Sequence, residues 1–237
     1  MTNRKKRVAI LISGRGSNMA ALIAAAAEPD FPAEIAGVIA DRTDARGLER
    51  AGALGVPVQA ITPQEHPDKQ ALDSALDAAL GNLGAEYVCL AGYMRLLSPA
   101  FVEKWSGRLI NIHPSLLPLF KGLDSHRRCL EAGMRIHGCT VHFVTAEMDA
   151  GPIIAQAAVP VLPTDDEDAL SARVLKAEHD LYPLALQLVL DGKVRMEDGR
   201  AVHEYLTGEE ATGTLFSPAH DVLAGPADIE SLARFTP

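Results

Sequence analysis

VAILISGRGSNMAALIAAAA, residues 8–27, combines five consecutive apolar residues, a glycine-containing loop and an alanine-rich segment. The apolar run 8–12 predicts a strand that is buried on both faces, because a half-exposed strand would alternate apolar with polar residues. The segment 17–27 predicts a helix that begins directly after the loop. A buried strand that leads through a glycine loop into a helix is typical of an α/β protein with a parallel sheet.

The alternation of apolar runs with helical patterns continues for most of the chain. Helices are predicted between the strands and after SPAF, one of them over 67–80 with leucines at every fourth position from 72 to 80. Further buried strands are predicted at 34–40, 56–61, 87–93 and 108–112. We therefore predict a mostly parallel, Rossmann-like sheet that is flanked by helices on both faces.

The pattern changes after Gly133. The apolar runs 139–145 and 153–161 lie close together, which predicts an antiparallel, hairpin-like extension of the sheet. A long amphipathic helix follows, to about Leu190, and we expect Thr164 and Glu167 to form a capping box at its start. Within it, Pro183 predicts a kink or an interruption.

We expect one domain over residues 1–205, with a phosphate-binding half to about residue 105 and a catalytic half over 106–205. The last ~35 residues are rich in glycine, proline and charge, and they predict a short strand pair and a mobile tail. Residues 206–237 would thus be a partly flexible C-terminal extension.

Composition predicts a soluble globular protein of one or at most two domains, since 48% of its 237 residues are hydrophobic and 22% are charged. The formal net charge of −9 argues against binding to nucleic acid or to an anionic membrane. No stretch has transmembrane length, and the apolar run after the basic N-terminus is too short for a signal peptide. We expect a cytoplasmic location.

The chain has three cysteines, Cys89, Cys129 and Cys139, and none of them forms a C-x-x-C pair. An odd number without paired spacing favours reduced, buried thiols and argues against a zinc site. We expect no metal.

The loop Ser13–Asn18 could hold a phosphate. Backbone N–H groups and the positive end of the helix dipole converge at such a helix N-terminus. The third glycine of the dinucleotide fingerprint is replaced by Met19, and no Gly-Lys-Ser/Thr ending follows, so a monophosphate fits better than a dinucleotide or a nucleoside triphosphate. The alternative is a tight turn capped by serine or asparagine.

RLINIHPSLLPLFKG, residues 108–122, places Asn111 and His113 two residues apart at the end of a predicted strand. Side chains at this spacing share one face, at the edge where parallel sheets bind ligands. An amide and an imidazole can donate hydrogen bonds to an oxyanion, and the imidazole can move protons. The alternative is a capped strand followed by a turn.

Asp149 lies in the loop AEMDAGP between two predicted strands. A carboxylate beside an imidazole favours the charged form of the ring, although an aspartate before Gly151 could equally belong to a turn. The residues alone predict a polar group-transfer site next to a phosphate site.

Five segments, at about residues 7–200, carry a family resemblance in their order and spacing: LISGRGSN, LAGYMRLLSP, LINIHPSLLP, VHFVTAEMDAGPII and ARVLKAEHDLYP. Together they resemble the phosphoribosylglycinamide formyltransferases. The resemblance implies the formyltransferase fold and a formyl transfer in purine biosynthesis. The donor would be 10-formyltetrahydrofolate, and the acceptor the amino group of glycinamide ribonucleotide.

The resemblance also implies site residues. Asn111 and protonated His113 would stabilise the oxyanion of a tetrahedral intermediate, with Asp149 keeping the imidazole charged. Glycinamide ribonucleotide would bind at Gly16, Ser17, Asn18 and Glu178. The reduced folate, the only cosubstrate expected, would bind at Lys69, Met94, Arg95, Leu96, Leu97, Thr145, Ala146, Glu147, Met148 and Asp149.

Two positions depart from the family pattern. Lys69 stands where an arginine can face the folate glutamate, and a lysine lacks the bidentate fork. Asp124 stands where the family often has a histidine, although the neighbouring His126 matches.

Three alternatives remain open. A formyltetrahydrofolate hydrolase would usually carry an additional N-terminal domain, and a methionyl-tRNA formyltransferase a C-terminal RNA-binding domain. A non-catalytic folate-binding protein of the same fold would not need Asn111, His113 and Asp149 together. We expect small-molecule substrates as the only ligands, and a monomer or a homodimer.

Overall fold

The computed structural model describes residues 4–204 and Ser217. Its main strands are β1 (Lys6–Ile12), β2 (Ala33–Ala40), β3 (Val58–Ala60), β4 (Tyr87–Leu90), β5 (Leu109–His113), β6 (Ile136–Phe143) and β7 (Ile153–Pro160). They form one sheet in the order β3-β2-β1-β4-β5-β6-β7. The first five strands are parallel, whereas β6 pairs antiparallel with both β5 and β7. The predicted mostly parallel sheet with an antiparallel extension is confirmed.

The helices follow the predicted alternation: α1 (Ser17–Ala27), α2 (Arg46–Ala53), α3 (Lys69–Asn82), α4 (Pro99–Lys104), α5 (Ser125–Glu131) and α6 (Glu167–Leu190). A 3-10 turn over Pro63–Glu65 precedes α3. After α6, β8 (Val194–Glu197) and β9 (Arg200–His203) pair antiparallel. This pair precedes the last ~35 residues in which a strand pair was predicted, and that segment lies almost entirely outside the described residues.

The predicted capping box of α6 was wrong. Of the two outcomes predicted for Pro183, the interruption was wrong and the kink stays a prediction. The helix begins at Glu167 and its N-cap is Asp166, whose carboxylate accepts the Ala169 N–H, so Thr164 caps nothing. Pro183 does not interrupt the helix, which continues to Leu190. On one face of the helix around the proline, Tyr182, Ala185 and Leu186 are fully buried, and this packing offsets the backbone hydrogen bond that a proline removes.

Two apolar cores lie on opposite faces of the sheet, which explains why β1 is apolar throughout. Val8, Ile10 and Ile12 pack in one core with residues of α1 and α6, whereas Ala9 and Leu11 pack in the other with α3 and α4. The same alternation continues in β5, where Ile110 and Ile112 belong to the α6 side. Asn111 and His113 consequently point to the opposite face.

Tyr182 fixes α6 against the sheet next to this site. Its ring is fully buried, and its hydroxyl oxygen lies 3.0 Å from the carbonyl oxygens of both Leu90 and Ile110. These carbonyls belong to β4 and β5, so the contact fixes the position of α6 along these two central strands.

The three cysteines are buried and unpaired, as predicted. No helix in residues 4–204 combines the length and the apolar character that crossing a membrane requires. The predicted extension 206–237 lies outside the described residues, except for Ser217. The division of the domain near residue 105 stays a prediction.

Candidate active site

The glycine loop lies between β1 and α1. Gly16 is the residue before the helix and adopts a left-handed conformation with φ of 68°, which glycine favours. The Gly14 carbonyl accepts the Gly47 N–H at 3.0 Å, which holds the loop against α2. The first N–H groups of α1 have no carbonyl partner within the helix, so they can bind an anion.

Asn18 and Glu178 meet at this loop although 160 residues separate them. The Asn18 amide nitrogen donates to a Glu178 carboxylate oxygen at 2.6 Å, and both residues are buried. Burial raises the pKa of Glu178, an effect that the hydrogen bond from Asn18 partly opposes. The amide oxygen of Asn18 is buried without a hydrogen-bond partner among the described residues. The pair can therefore accept hydrogen bonds from a hydroxylated ligand.

The polar face of β5 is completed by β6. Asn111 lies opposite His142 in the antiparallel register, and the Asn111 amide nitrogen is 3.2 Å from His142 Nε2. His142 Nδ1 is 2.9 Å from the Phe143 carbonyl, which can only accept, so the proton of the neutral ring is on Nδ1. Burial lowers the pKa of His142. A neutral His142 can thus accept the Asn111 N–H and orient the amide.

Both ring nitrogens of His113 face hydrogen-bond acceptors. Nδ1 is 3.3 Å from Asp149 Oδ2, and Nε2 is 3.0 Å from the Phe120 carbonyl. His113 itself is buried, with 6% of its surface exposed. A histidine donates from both nitrogens only as the imidazolium, so this geometry suits the charged ring.

Asp149 accepts from two donors and lies near a third polar side chain. Its Oδ2 accepts the Gly122 N–H at 2.9 Å in addition to the contact with His113, and its Oδ1 is 3.8 Å from His142 Nε2. The residue has a φ of 49°, a left-handed conformation that aspartate and asparagine tolerate better than most side chains. An ion pair between Lys121 and Glu147, at 3.0 Å, also connects the two loops. The loop 117–124 and the loop 145–151 thus meet over the polar face of β5.

Apart from Lys69, the residues predicted to bind folate lie on two loops. Met94 and Leu96 are 72% and 68% exposed on the loop that follows β4, and Met148 is 53% exposed on the loop that follows β6. The Met94 N–H donates to the Ser13 hydroxyl, which connects the first of these loops to the glycine loop. Exposed apolar side chains of this size could cover a flat ring system.

The remaining predicted positions belong to two helices, Lys69 to α3, and Asp124 and His126 to the start of α5. Lys69 begins α3 and is exposed, without an ion pair to any described residue. Asp124 pairs with Arg127 and does not contact His113 or Asp149. His126 lies 3.2 Å from His137, and burial lowers the pKa of both rings, that of His137 to about 4. This histidine pair is therefore neutral at neutral pH.

Comparison with known proteins identifies the family. Residues 6–186 match the formyl transferase family. The chain belongs to the formyl transferase family. Its loop after β1, the polar end of β5 and the loop after β6 all lie within the matched region. No group of three or more metal-ligating side chains was found in the described part of this formyl transferase.

Named relatives of this formyl transferase are of two lengths. The trifunctional purine biosynthetic protein adenosine-3 of Bos taurus is 49% identical over 198 residues, which are 83% of this chain but 20% of that protein. The phosphoribosylglycinamide formyltransferase of Escherichia coli K12 is 43% identical over 194 residues, 82% of this chain and 92% of that one. The chain thus spans about a fifth of the Bos taurus protein and nearly all of the bacterial one.

A solved relative has the same fold. The crystal structure of phosphoribosylglycinamide formyltransferase from Brucella melitensis is 56% identical, with a TM-score of 0.77 over 79% of this chain and 96% of that one.

His142 is the residue of this formyl transferase site that sequence reasoning missed. The sequence shows it seven residues before Asp149, but its role depends on the pairing of Asn111 with His142 across two antiparallel strands. That register depends on the length and path of the loop 114–135, which apolar patterning does not determine. A histidine flanked by apolar strand residues was the available signal.

Proposed function

We propose that this formyl transferase is a phosphoribosylglycinamide formyltransferase of purine biosynthesis. It would transfer the formyl group of 10-formyltetrahydrofolate to the amino group of glycinamide ribonucleotide. The observation that supports this most is the convergence of His113, Asn111 and Asp149 on one face of the sheet. The similarity to bacterial enzymes of this name over most of their length adds to it.

In the proposed reaction, a bond forms between the ribonucleotide amine and the formyl carbon, and the bond between that carbon and N10 of the folate breaks. The amine loses one proton and N10 gains one. An oxyanion develops on the formyl oxygen between these two events. The protein must therefore supply hydrogen-bond donors for the oxyanion and a route for one proton.

His113 is the proposed principal donor. Its Nε2 proton is held by the Phe120 carbonyl, a neutral acceptor, while Asp149 faces the other nitrogen. A developing alkoxide accepts a hydrogen bond more strongly than a neutral carbonyl does. The donor could thus exchange Phe120 for the oxyanion as negative charge develops, which favours the transition state over the ground state.

Asn111 is the proposed second donor, and His142 is its positioning partner. One amide hydrogen points to His142 Nε2, which leaves the second N–H hydrogen of the same amide for the formyl oxygen. His142 also lies near Asp149, so the amide and the carboxylate share one neighbour. Through His142 and Asp149, the two proposed donors Asn111 and His113 would keep a fixed distance from each other.

We propose that the ribonucleotide phosphate binds the N–H groups of Gly16, Ser17 and Asn18. The ribose hydroxyls would donate to Glu178 and to the unpaired Asn18 oxygen. Glu178 is buried, and hydroxyl donors would compensate for the lost hydration of its carboxylate. This is a chemical reason for a buried carboxylate at this position.

The folate would contact the loop 93–97 and the loop 145–149. The exposed apolar side chains of Met94, Leu96 and Met148 fit a flat apolar ring, while Arg95, Leu97, Thr145, Ala146 and Glu147 are the further proposed contacts. Lys69, which has no ion pair among the described residues, could reach the anionic glutamate of the folate. A cytoplasmic location and a monomeric or homodimeric state stay predictions.

The test is a comparison of tetrahydrofolate release with and without glycinamide ribonucleotide. We expect release from 10-formyltetrahydrofolate only when the ribonucleotide is present, in a one-to-one ratio with formylated product. Release that does not depend on the ribonucleotide would indicate the hydrolase instead. Binding of both compounds without turnover would indicate the non-catalytic alternative.

A further inference from the structure

The segment 120–122 gives one backbone group to each member of the catalytic pair. The Phe120 carbonyl accepts from His113 Nε2 at 3.0 Å, and the Gly122 N–H donates to Asp149 Oδ2 at 2.9 Å. The positions of the imidazole and the carboxylate therefore depend on the path of this three-residue segment.

That path is strained. Phe120 has a φ of 54°, in the left-handed region that a bulky side chain rarely adopts, and Gly122 has a φ of 79°. A non-glycine residue keeps such a conformation only where its surroundings hold it there. The question is which side chains hold the segment.

Arg128 makes two contacts with the segment 120–122 and one with the residue that follows it. Its Nη1 donates to the Lys121 carbonyl at 2.6 Å and lies 3.4 Å from the Leu123 carbonyl, so it binds the backbone on both sides of Gly122. Its guanidinium carbon is 5.6 Å from the centre of the Phe120 ring, within range of a cation–π contact. The Phe120 ring also meets His137 edge-on at 6.0 Å.

The helix that carries Arg128 is packed against the core. The residue belongs to α5, in which Ser125 and Cys129 are buried against the core. The guanidinium thus connects an element packed on the core to a strained loop, an arrangement that can fix functional groups to a fraction of an ångström.

We propose that Arg128 is a positioning residue for His113 and Asp149, acting through the backbone of residues 120–122. Arg128 touches neither residue of the pair, and its effect is indirect. The inference rests on the proposed formyl transfer for its kinetic readout, but its structural readout does not depend on that reaction.

Arg127 provides a matched control. It is the adjacent arginine on the same helix, it carries the same charge, and its ion pairs are with Asp124 and Glu131 on the surface. Arg127→Gln removes one positive charge from α5 without removing a contact to the segment 120–122. Exposed pairs of this kind contribute little to stability.

The kinetic experiment compares Arg128→Gln, Arg128→Lys and Arg127→Gln with the wild type. We expect Arg128→Gln to lower kcat about tenfold, with KM for the ribonucleotide changed less than about twofold, since the pair is displaced but the phosphate loop is intact. The pH profile of kcat/KM should move by about half a unit. Arg128→Lys should recover part of the loss, because a lysine keeps a donor but not the planar fork. Arg127→Gln should resemble the wild type.

The structural experiment measures hydrogen exchange of the Gly122 amide by NMR. Its rate should rise about tenfold in Arg128→Gln and stay unchanged in Arg127→Gln, with the strand amides unaffected in both. Unchanged Gly122 exchange in Arg128→Gln would refute the proposal, as would kinetics equal to those of Arg127→Gln. A higher kcat in Arg128→Gln would also refute it, because Arg128 would then hold His113 and Asp149 in a less active arrangement. If the wild type transfers no formyl group, the proposed function is refuted. The hydrogen exchange of Gly122 then still tests whether Arg128 positions the segment 120–122.

Discussion

Asp149→Asn is the substitution that best distinguishes the effect of the negative charge of Asp149 from the effect of its size and backbone conformation. Asparagine keeps the volume of the side chain, tolerates the left-handed backbone at φ of 49°, and can still accept the Gly122 N–H through its amide oxygen. Alanine would instead add a cavity and backbone strain. The change to asparagine therefore removes the negative charge beside His113 and little else.

The expected effect follows from the distance of 3.3 Å between Asp149 Oδ2 and His113 Nδ1. At an effective dielectric constant of about 20, two opposite unit charges at this separation attract each other by about 5 kcal/mol. Desolvation of two nearly buried groups offsets part of this attraction. We expect kcat to fall by roughly a hundred- to a thousandfold, equivalent to about 3–4 kcal/mol of transition-state stabilisation.

The assay is steady-state formyl transfer, with thermal unfolding of each variant as a control for folding. Glu131→Gln is the matched control, since it removes an exposed carboxylate of α5 that lies outside the proposed substrate contacts, and we expect it to change kcat less than about threefold. A folded Asp149→Asn protein with kcat within about threefold of the wild type would refute the proposed role of the carboxylate. Equal effects of the two substitutions would refute it as well.

Substitutions at three further positions test other parts of the structure. Glu178→Gln should raise KM for the ribonucleotide about tenfold with little change in kcat. Because burial raises the pKa of Glu178, its ionised form costs stability as pH rises, so Glu178→Gln should unfold at a higher temperature than the wild type at pH 8, with the difference shrinking near pH 4. His142→Phe leaves the Asn111 amide without its acceptor and should lower kcat roughly tenfold, whereas His142→Gln, whose carbonyl can accept, should recover part of it in the same transfer assay. Tyr182→Phe should reduce the free energy of unfolding in urea by about 1–2 kcal/mol, because two strand carbonyls lose their donor, while kcat stays near the wild-type value.

Apolar patterning was sufficient to predict most of the sheet, because strands buried on both faces are continuous apolar runs. The two cores explain why VAILI and similar runs are recognisable without an alignment. The end of β4 was predicted three residues too late, since Ala91 and Gly92 continue the apolar pattern, although Gly92 has a φ of 71° and begins a loop. The start of α6 was also misplaced, because Asp166 and Thr164 both suit a cap and only the backbone path decides between them.

The grouping of the candidate residues was predictable where they belong to one strand or loop, as for Asn111 with His113, or Gly16 with Ser17, and the role of each residue stays a prediction. It was less predictable where distant segments meet. The family resemblance implied that Asn18 and Glu178 bind one substrate, but their direct hydrogen bond depends on how α1 packs against α6. His142 and Arg128 were not predicted at all, since their contacts run through a strand register and through the backbone of the loop 117–124.

The central claim is that the chain transfers a formyl group from a reduced folate to glycinamide ribonucleotide. The most direct measurement follows the carbon itself, with 10-formyltetrahydrofolate labelled with carbon-13 in the formyl group and NMR detection of the products. We expect the label to appear as a new formamide on the ribonucleotide, at a rate that collapses in His113→Ala. Label released as free formate at a rate independent of the ribonucleotide, or no transfer with both substrates present, would contradict it.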